Sequence, residues 1–384
     1  MKTIPAILTG LVACLVIGIT TTRGQVIYKL EDLGVVKDME YSVPAAIDSH
    51  GYVTGSAYKG EESCAFEYDY VQKIMEDAGG VNSRGFGIVP MSSVAGAYLV
   101  VGDFFPVGPM EPRSHAGIFK GGTVTDLGVL PGQLYSRANG VNVRGEVVGY
   151  SGHQRDSSES RAFLWTVQSG MTDIGTLGGT YAEAYAINNA GLITGASQTV
   201  VGAVDTTHAF IYCPQCAGPA PMRDLGALGG DSSYGLAINN YNHVVGYSTI
   251  KPNDARVHGF FHDGNKMIDL GSLGASGSRW GSDVSVALGV NNSDQVVGYT
   301  YLPVGGEMPI QQVAFLWHRT LSGSGEMINL NTLLYGEGKN YLLFSAMAIN
   351  DRGQIVASAY YMPDGSVRAV VLTPTGPPLP PVNQ

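Results

Sequence analysis

The chain has 384 residues, 44% of them hydrophobic and only 14% charged, with 53 glycines and a formal net charge of −10. That length holds two average domains or one large all-β domain, and the apolar share excludes general disorder. The acidic balance, with no basic stripe, excludes a nucleic-acid partner.

The first segment, "MKTIPAILTGLVACLVIGITTTRG", has one Lys before an uncharged apolar run from Ile4 to Ile19 and then small and polar residues. This reads as a secretory signal over residues 1–24, cut after Gly24. Two other readings stay open: retention of the run as an N-terminal anchor, near the short limit for a span, or lipidation at Cys14. Apolar residues continue beyond Cys14, against cleavage there. Loss of Lys2 and Arg23, with no acid in the segment, takes the net charge from −10 to −12.

From residue 28 the chain repeats four short words. "MTDIGTLGGTYAEAYAINNAGLITGAS" at 171–197 returns as "MRDLGALGGDSSYGLAINNYNHVVGYS" at 222–248. Word one ends in Asn or Asp: "AAID" 45–48, "NGVN" 139–142, "YAIN" 185–188, "LAIN" 236–239, "LGVN" 288–291, "MAIN" 347–350. Word two is apolar around Gly, as in "YVTGS" 52–56, "LVVGD" 99–103, "EVVGYS" 146–151 and "QIVASA" 354–359, and occurs seven times. Word three is like His-Ala-Phe-Leu-Trp: "CAFEY" 64–68, "HAGIF" 115–119, "RAFLW" 161–165, "HAFIY" 208–212, "HGFFH" 258–262, "VAFLW" 313–317, "RAVVL" 368–372. Word four is Asp-Leu-Gly, at 32–34, 126–128, 173–175, 224–226 and 269–271. Residues 70–100 and 301–345 depart most from the pattern.

Each word is strand-length with turn signals between, and four strands in about 47 residues match one blade of a β-propeller. Seven copies of word two predict seven four-stranded antiparallel blades over residues 25–375, followed by a Pro-rich disordered tail at 376–384. The phase of the termini adds a closure. "YKLEDLG" (28–34) is word four and "RAVVL" is word three, so the N-terminal strand supplies the outermost strand of the last blade. Word one is then the innermost strand. These words, "HAF" at 208–210 included, resemble the bacterial HAF-repeat family of probable extracellular repeat proteins over nearly all of residues 28–373. The resemblance implies export and confers no known activity.

Hairpins between words three and four predict side-chain pairs. Two-residue turns at Lys120-Gly121 and Asp263-Gly264 set His115 opposite Asp126 and His258 opposite Asp269. Arg161 with Asp173, His208 with Asp224, and Arg368 with Asp32 follow with longer loops or across the closure. In the sixth blade the basic residue is Val313 and the acid Asn329, both charges lost together. These pairs read as structural, each worth roughly 0.2–1 kcal/mol, not as metal ligands. Cys213 and Cys216 in "CPQC" lack a second Cys pair to make a zinc site and are expected as a local disulfide, with Cys64 left over and buried. No metal or cofactor is expected.

Function is placed on the face shared by the loops from strand two to three and from strand four to one. The former vary most, as in "SGHQRDSSESR" and "STIKPNDARVH". The latter each carry an aromatic, Tyr41, Phe86, Tyr135, Tyr181, Tyr234, Trp280 and Tyr341, expected to circle the channel mouth or to fill the space between blades. No Gly-x-Ser-x-Gly, His-Glu-x-x-His or paired-acid motif is present. The expectation is a secreted, cell-surface or periplasmic monomer with no membrane span once mature, binding an extracellular glycan or protein without catalysis. The alternative is a glycan-active enzyme with residues drawn from several blades.

Overall fold

Seven four-stranded antiparallel sheets follow one another around an axis. They are seen in a computed structural model that describes residues 26–91, 98–106, 113–153, 159–201, 204–216, 221–274, 282–303, 310–320 and 324–376. Residues 1–25, which include the segment read as a secretory signal, and residues 377–384 of the tail lie outside the described residues. In six blades the strands pair in chain order. In the seventh, the order from the outside is Tyr28–Asp32, Ser366–Pro374, Ile355–Tyr361, Tyr341–Ile349, so the N-terminal strand is the outermost strand of the last blade. It pairs from Tyr28↔Pro374 to Asp32↔Val370.

The first strand of each blade is innermost, and these seven strands contact one another in order, the last (Tyr341–Ile349) meeting the first (Tyr41–Ile47). Each carries a bulge, which skips Ala45, Phe86, Asn139, Tyr185, Leu236, Leu288 and Met347 in turn. A bulge adds twist and brings the backbone close to the second strand. That is why word two needs its Gly: a Cβ on Gly149 would sit 1.8 Å from the Arg137 carbonyl, and on Gly195 1.9 Å from that of Glu183. Blade 7 has Ala357 there, and its inner strand carries a second register shift between Leu343 and Ser345.

Hydrophobic core forms between blades. The word-three aromatics Phe66, Phe163, Phe210, Phe260 and Phe315 are fully buried, each worth about 1.5–3 kcal/mol over its exposed state. In blade 2 that place is Gly117, where an added Cβ would meet the Phe104 ring at 2.8 Å, and the buried Phe119 fills the wedge instead.

Junctions are riveted by serines that pattern reading missed. In word four, Asp Oδ1 accepts the N–H of the Gly two residues on, for instance Asp126 from Gly128 at 2.7 Å, and that Gly is left-handed (φ 74°). The Gly carbonyl then accepts from a buried Ser at the start of the next blade: Ser42 to Gly34, Ser136 to Gly128, Ser233 to Gly226, Ser285 to Gly271. The same hydroxyl accepts a third-strand N–H, that of Ala116 for Ser136 and Ala209 for Ser233. Ala182 stands at this register position in blade 4, so the serine spacing is not uniform along the sequence.

Residues Tyr28 and Leu33 of the N-terminal segment are buried, in the blade 6–blade 7 core and the blade 7–blade 1 core respectively. Truncation through Gly34 should therefore remove the outer strand, leave Ser366–Pro374 as an open edge and yield an aggregation-prone chain. A truncated protein with unchanged thermal midpoint and solubility would contradict the closure.

Candidate functional site

The ends of the second and fourth strands and the starts of the first and third share one face. The loops from strand four to one form a rigid ledge there. The N–H groups of Leu130, Leu177, Leu228 and Leu273 are held by the hydroxyls of Ser151, Ser197, Ser248 and Thr300 at 2.9–3.3 Å. These bonds anchor the backbone at the Leu of each loop, including both Leu-Gly-Gly copies.

Around the outer part of this face run the predicted charge pairs, at a different register. Asp126 lies opposite Gly117, Asp173 opposite Phe163, Asp224 opposite Phe210, Asp269 opposite Phe260 and Asn329 opposite Phe315, each two residues from the direct pairing expected. The turns differ from the sequence reading: blade 2 turns at Gly121-Gly122, and blade 5 uses the four residues Asp263–Lys266. The basic side chain reaches its acid diagonally, within range of long side chains. His115 Nδ1 is 2.9 Å from Asp126, Arg161 Nε 2.9 Å from Asp173, His208 Nδ1 2.8 Å from Asp224 and His258 Nδ1 2.9 Å from Asp269.

The Arg368–Asp32 pair is not formed. Arg368 bonds Ser366 (2.9 Å) and Asp364 (3.3 Å) on its own hairpin, while Asp32 accepts the Tyr341 hydroxyl at 3.1 Å. Burial and the charge of Asp32 push the Tyr341 phenol up to about 12. Asn329 accepts from Asn331 N–H and caps a 3-10 turn over Leu330–Leu333. Cys213 and Cys216 are disulfide-bonded and Cys64 is a buried free thiol. Among the described residues no three His, Cys, Asp or Glu side chains gather as a metal would require.

His258 differs from the others. Its Nε2 also bonds Asp283 at 3.0 Å, and Asp283 takes Ser272 Oγ at 2.9 Å and Arg256 Nη1 at 3.4 Å. Asp283 lies outside all four words, so repeat comparison could not find it. Burial disfavours the His258 cation, but the two carboxylates outweigh it and raise the pKa. The constellation borders a cavity of about 340 Å³ at blades 5 and 6, also lined by Lys251.

Nearer the axis are the aromatics, but not as one level ring. Tyr41 stacks on Tyr58 with centroids 5.2 Å apart, Tyr234 on Tyr247 at 4.8 Å, and Tyr341 lies 5.0 Å from Tyr361. Tyr135 lies opposite Gly152, and the Tyr181 hydroxyl is 3.5 Å from that of Tyr185. Tyr234 sits two residues further in than Tyr41 and Tyr135, and Phe86 is the bulge residue. Counting from the loop Gly misses these offsets because the loops differ in length. Trp280 lies outside the described residues.

Charged residues unmarked in the sequence reading interleave with the aromatics. The Phe86 ring lies 3.6 Å from the Arg137 guanidinium and 5.4 Å from that of Arg84. Arg84 Nε bonds the buried Asp103 at 2.9 Å. The Tyr185 hydroxyl donates to Glu183 at 2.8 Å, and burial, then the Glu183 charge, push the Tyr181 and Tyr185 phenols upward. An aromatic and cationic group on blades 2 and 3 thus adjoins a tyrosine and carboxylate group on blade 4.

Comparisons with known proteins bear on the fold. Residues 232–369 match a family described as a protein of unknown function (DUF3466). No curated protein matches the chain. Among solved structures, the β-propeller domain of the Trilobed protease from Pyrococcus furiosus is 9% identical and covers 87% of this chain and 93% of that one, with a TM-score of 0.51. That domain is described as having an open velcro topology, whereas here the N-terminal strand closes the last blade. Two structures of the GH32 β-fructofuranosidase BmSUC1 of Bombyx mori, one in complex with sucrose, are 10% and 9% identical and cover 87% and 92% of this chain and 89% and 91% of theirs. Their TM-scores of 0.30 and 0.29 are too low to bear on function. The protein is a seven-bladed β-propeller whose function these likenesses leave open. No helix among the described residues is long and apolar enough to cross a membrane.

The His pairs carry a double-mutant test. His208→Val and Asp224→Asn should each destabilise by roughly 0.2–1 kcal/mol, and the double variant, which copies blade 6, should recover most of that loss. His258→Val should cost about 1–3 kcal/mol, and adding Asp269→Asn should recover less, because the buried Asp283 also loses a bond and is left with those from Ser272 and Arg256. Asp269 has a lowered pKa: burial opposes the shift, but bonds from His258 and Gly271 prevail. The carboxylate's contribution is present above its unfolded value and lost as pH falls through the folded one. The raised His258 contributes below its unfolded value and loses this as pH rises through the folded one. The blade 5 pair is therefore strongest between about pH 4 and about pH 6.5. Urea unfolding across pH checks both points, and strictly additive losses would show that the residues do not interact.

Proposed function

We propose that the chain is an exported HAF-repeat propeller, monomeric once its leader is removed, that binds an extracellular glycan or protein on its loop face and catalyses no reaction there. The observation that carries this reading is the set of half-buried tyrosine pairs on this face, Tyr41/Tyr58 in blade 1, Tyr234/Tyr247 in blade 5 and Tyr341/Tyr361 in blade 7, beside the loops whose sequences differ most from blade to blade. Aromatic surfaces with polar tips suit sugar faces and peptide side chains. A rigid ledge under variable loops is how repeated scaffolds carry recognition. Both nitrogens of His258 are held by carboxylates, and His115, Arg161 and His208 each face an acid, so these side chains support the face.

A glycan and peptide array probed with residues 25–384 tests the reading. Binding to one ligand class should fall at least tenfold in Tyr234→Ala/Tyr247→Ala, a loss of about 1.4 kcal/mol or more, while the thermal midpoint stays within a few degrees. Binding that is indifferent to that pair, or lost equally when loops on the opposite face are changed, would overturn it. Cleavage of an arrayed glycan would move the reading to an extracellular hydrolase or lyase.

A further inference from the structure

On the face away from the variable loops, one side chain recurs at successive blade junctions. The word-one Asn of each blade turns its Oδ1 inward to its own turn, where it accepts two N–H groups. Asn188 takes Ala190 and Leu192, Asn291 takes Ser293 and Gln295, and Asn350 takes Arg352 and Gln354, all at 2.9–3.1 Å. Its Nδ2 donates to the backbone carbonyl of the next blade: Asn142 to Asn188, Asn188 to Asn239, Asn239 to Asn291, Asn291 to Asn350 and Asn350 to Asp48, at 2.9–3.1 Å. Five struts thus run from blade 3 round to blade 1.

At blade 1 the residue is Asp48. Its Oδ1 accepts from His50 and Tyr52 N–H at 2.8 and 2.9 Å, the bonds an Asn makes at this position. Its Oδ2 therefore occupies the place of the strut nitrogen. The Asp48 side chain is fully buried, and Oδ2 has no hydrogen-bond partner. Counting from the bulges at Ala45 and Phe86, Val89 is the blade 2 counterpart of Asp48, so the group that the strut pattern offers to Oδ2 is a carbonyl, an acceptor. Asp48 and Val89 both line the cavity of about 200 Å³ at this channel mouth. A carboxylate facing an acceptor is repelled. A neutral carboxyl has the shape and the donor of the amide it replaces.

We propose that Asp48 binds a proton to stand in for the missing asparagine amide, its Oδ2–H donating across the blade 1–blade 2 junction, and that ionisation on raising the pH removes this donor and loosens the junction. The proton exchanges with solvent and no other group changes. The charged groups around the site do not replace it. His50 Nδ1 on the same turn is 3.8 Å from Oδ2, beyond hydrogen-bond reach. From blade 7, Arg352 Nε donates to the Ser49 carbonyl at 2.7 Å and Asp351 accepts from Asn292. Among the described residues, blade 2 presents Ile88, Val89 and Pro90 to the cavity. Burial raises the Asp48 pKa against the opposing pull of its backbone bonds and of His50.

A carboxyl raised in the fold is protonated in both states at low pH. The folded state loses stability relative to an uncharged residue as pH climbs from the unfolded value to the folded one, and then the loss levels off. Asp48→Asn should therefore match the wild type near pH 4, gain on it as pH rises, and keep a constant advantage once Asp48 is ionised in the fold. Hydrogen exchange should report the same junction. Amides of 50–52 and 83–90 should be about tenfold less protected in the wild type than in Asp48→Asn at the high-pH end, and equal at the low end. His50→Gln should keep this pH dependence. A stability difference that is constant with pH, an Asn variant less stable throughout, or loss of the effect in His50→Gln would overturn the proposal. Should Asp48→Asn fail to fold, the ¹³Cγ titration of Asp48 in the wild type decides: a midpoint above the ordinary Asp value is expected, and one at or below it is fatal.

Discussion

The bulged inner strand is the constraint on which the rest depends. Seven of these strands crowd one axis, and a bulge in each presses its backbone against the second strand, leaving room for no Cβ at Gly149 or Gly195. Neighbouring inner strands then lie close enough for short side chains to bridge them. Serine at one end and asparagine at the other do so: Ser136 of blade 3 bonds both Gly128 and Ala116 of blade 2, and Asn188 bonds its own turn and the Asn239 carbonyl of the next blade. Buried polar groups are costly unless paired, so these bridges couple the blades and select one packing of each against the next.

The two ends of the channel have different characters for this reason. At one end the struts are uniform, because each Asn does the same two tasks, and the departure at Asp48 is conspicuous against that uniformity. At the other end the serines and the Leu-Gly-Gly ledges hold the backbone, which frees the inner-strand starts and the second-to-third loops to vary. Arg137, Glu183, Tyr234 and Val286 occupy one register position in consecutive blades. Such variety on a repeated frame is where a binding preference can be encoded without altering the fold.

Ring closure depends on the same junction chemistry. The N-terminal strand adds backbone pairing to Ser366–Pro374 and also places Asp32, Leu33 and Gly34 so that Ser42 can engage the Gly34 carbonyl. The final junction is therefore built like most of the others, although its two sides come from opposite ends of the chain.

By itself the sequence determined the number of blades, the strand order and the closure, because each word is a strand whose periodic apolar residues and turn glycines act locally. It also marked His115, Arg161, His208 and His258 and their acids, since each pair lies within one hairpin. Only the tertiary structure decided their diagonal register, which depends on turns centred one residue further along the chain than the sequence reading placed them, and the failure of Arg368 to meet Asp32, where Tyr341 and Asp364 compete. Only it could bring Asp283 to His258, set Arg137 against Phe86, or show that Asp48 stands in a row of asparagine struts. Those contacts join residues of neighbouring blades, and no local spacing encodes which side chains a packed interface will oppose.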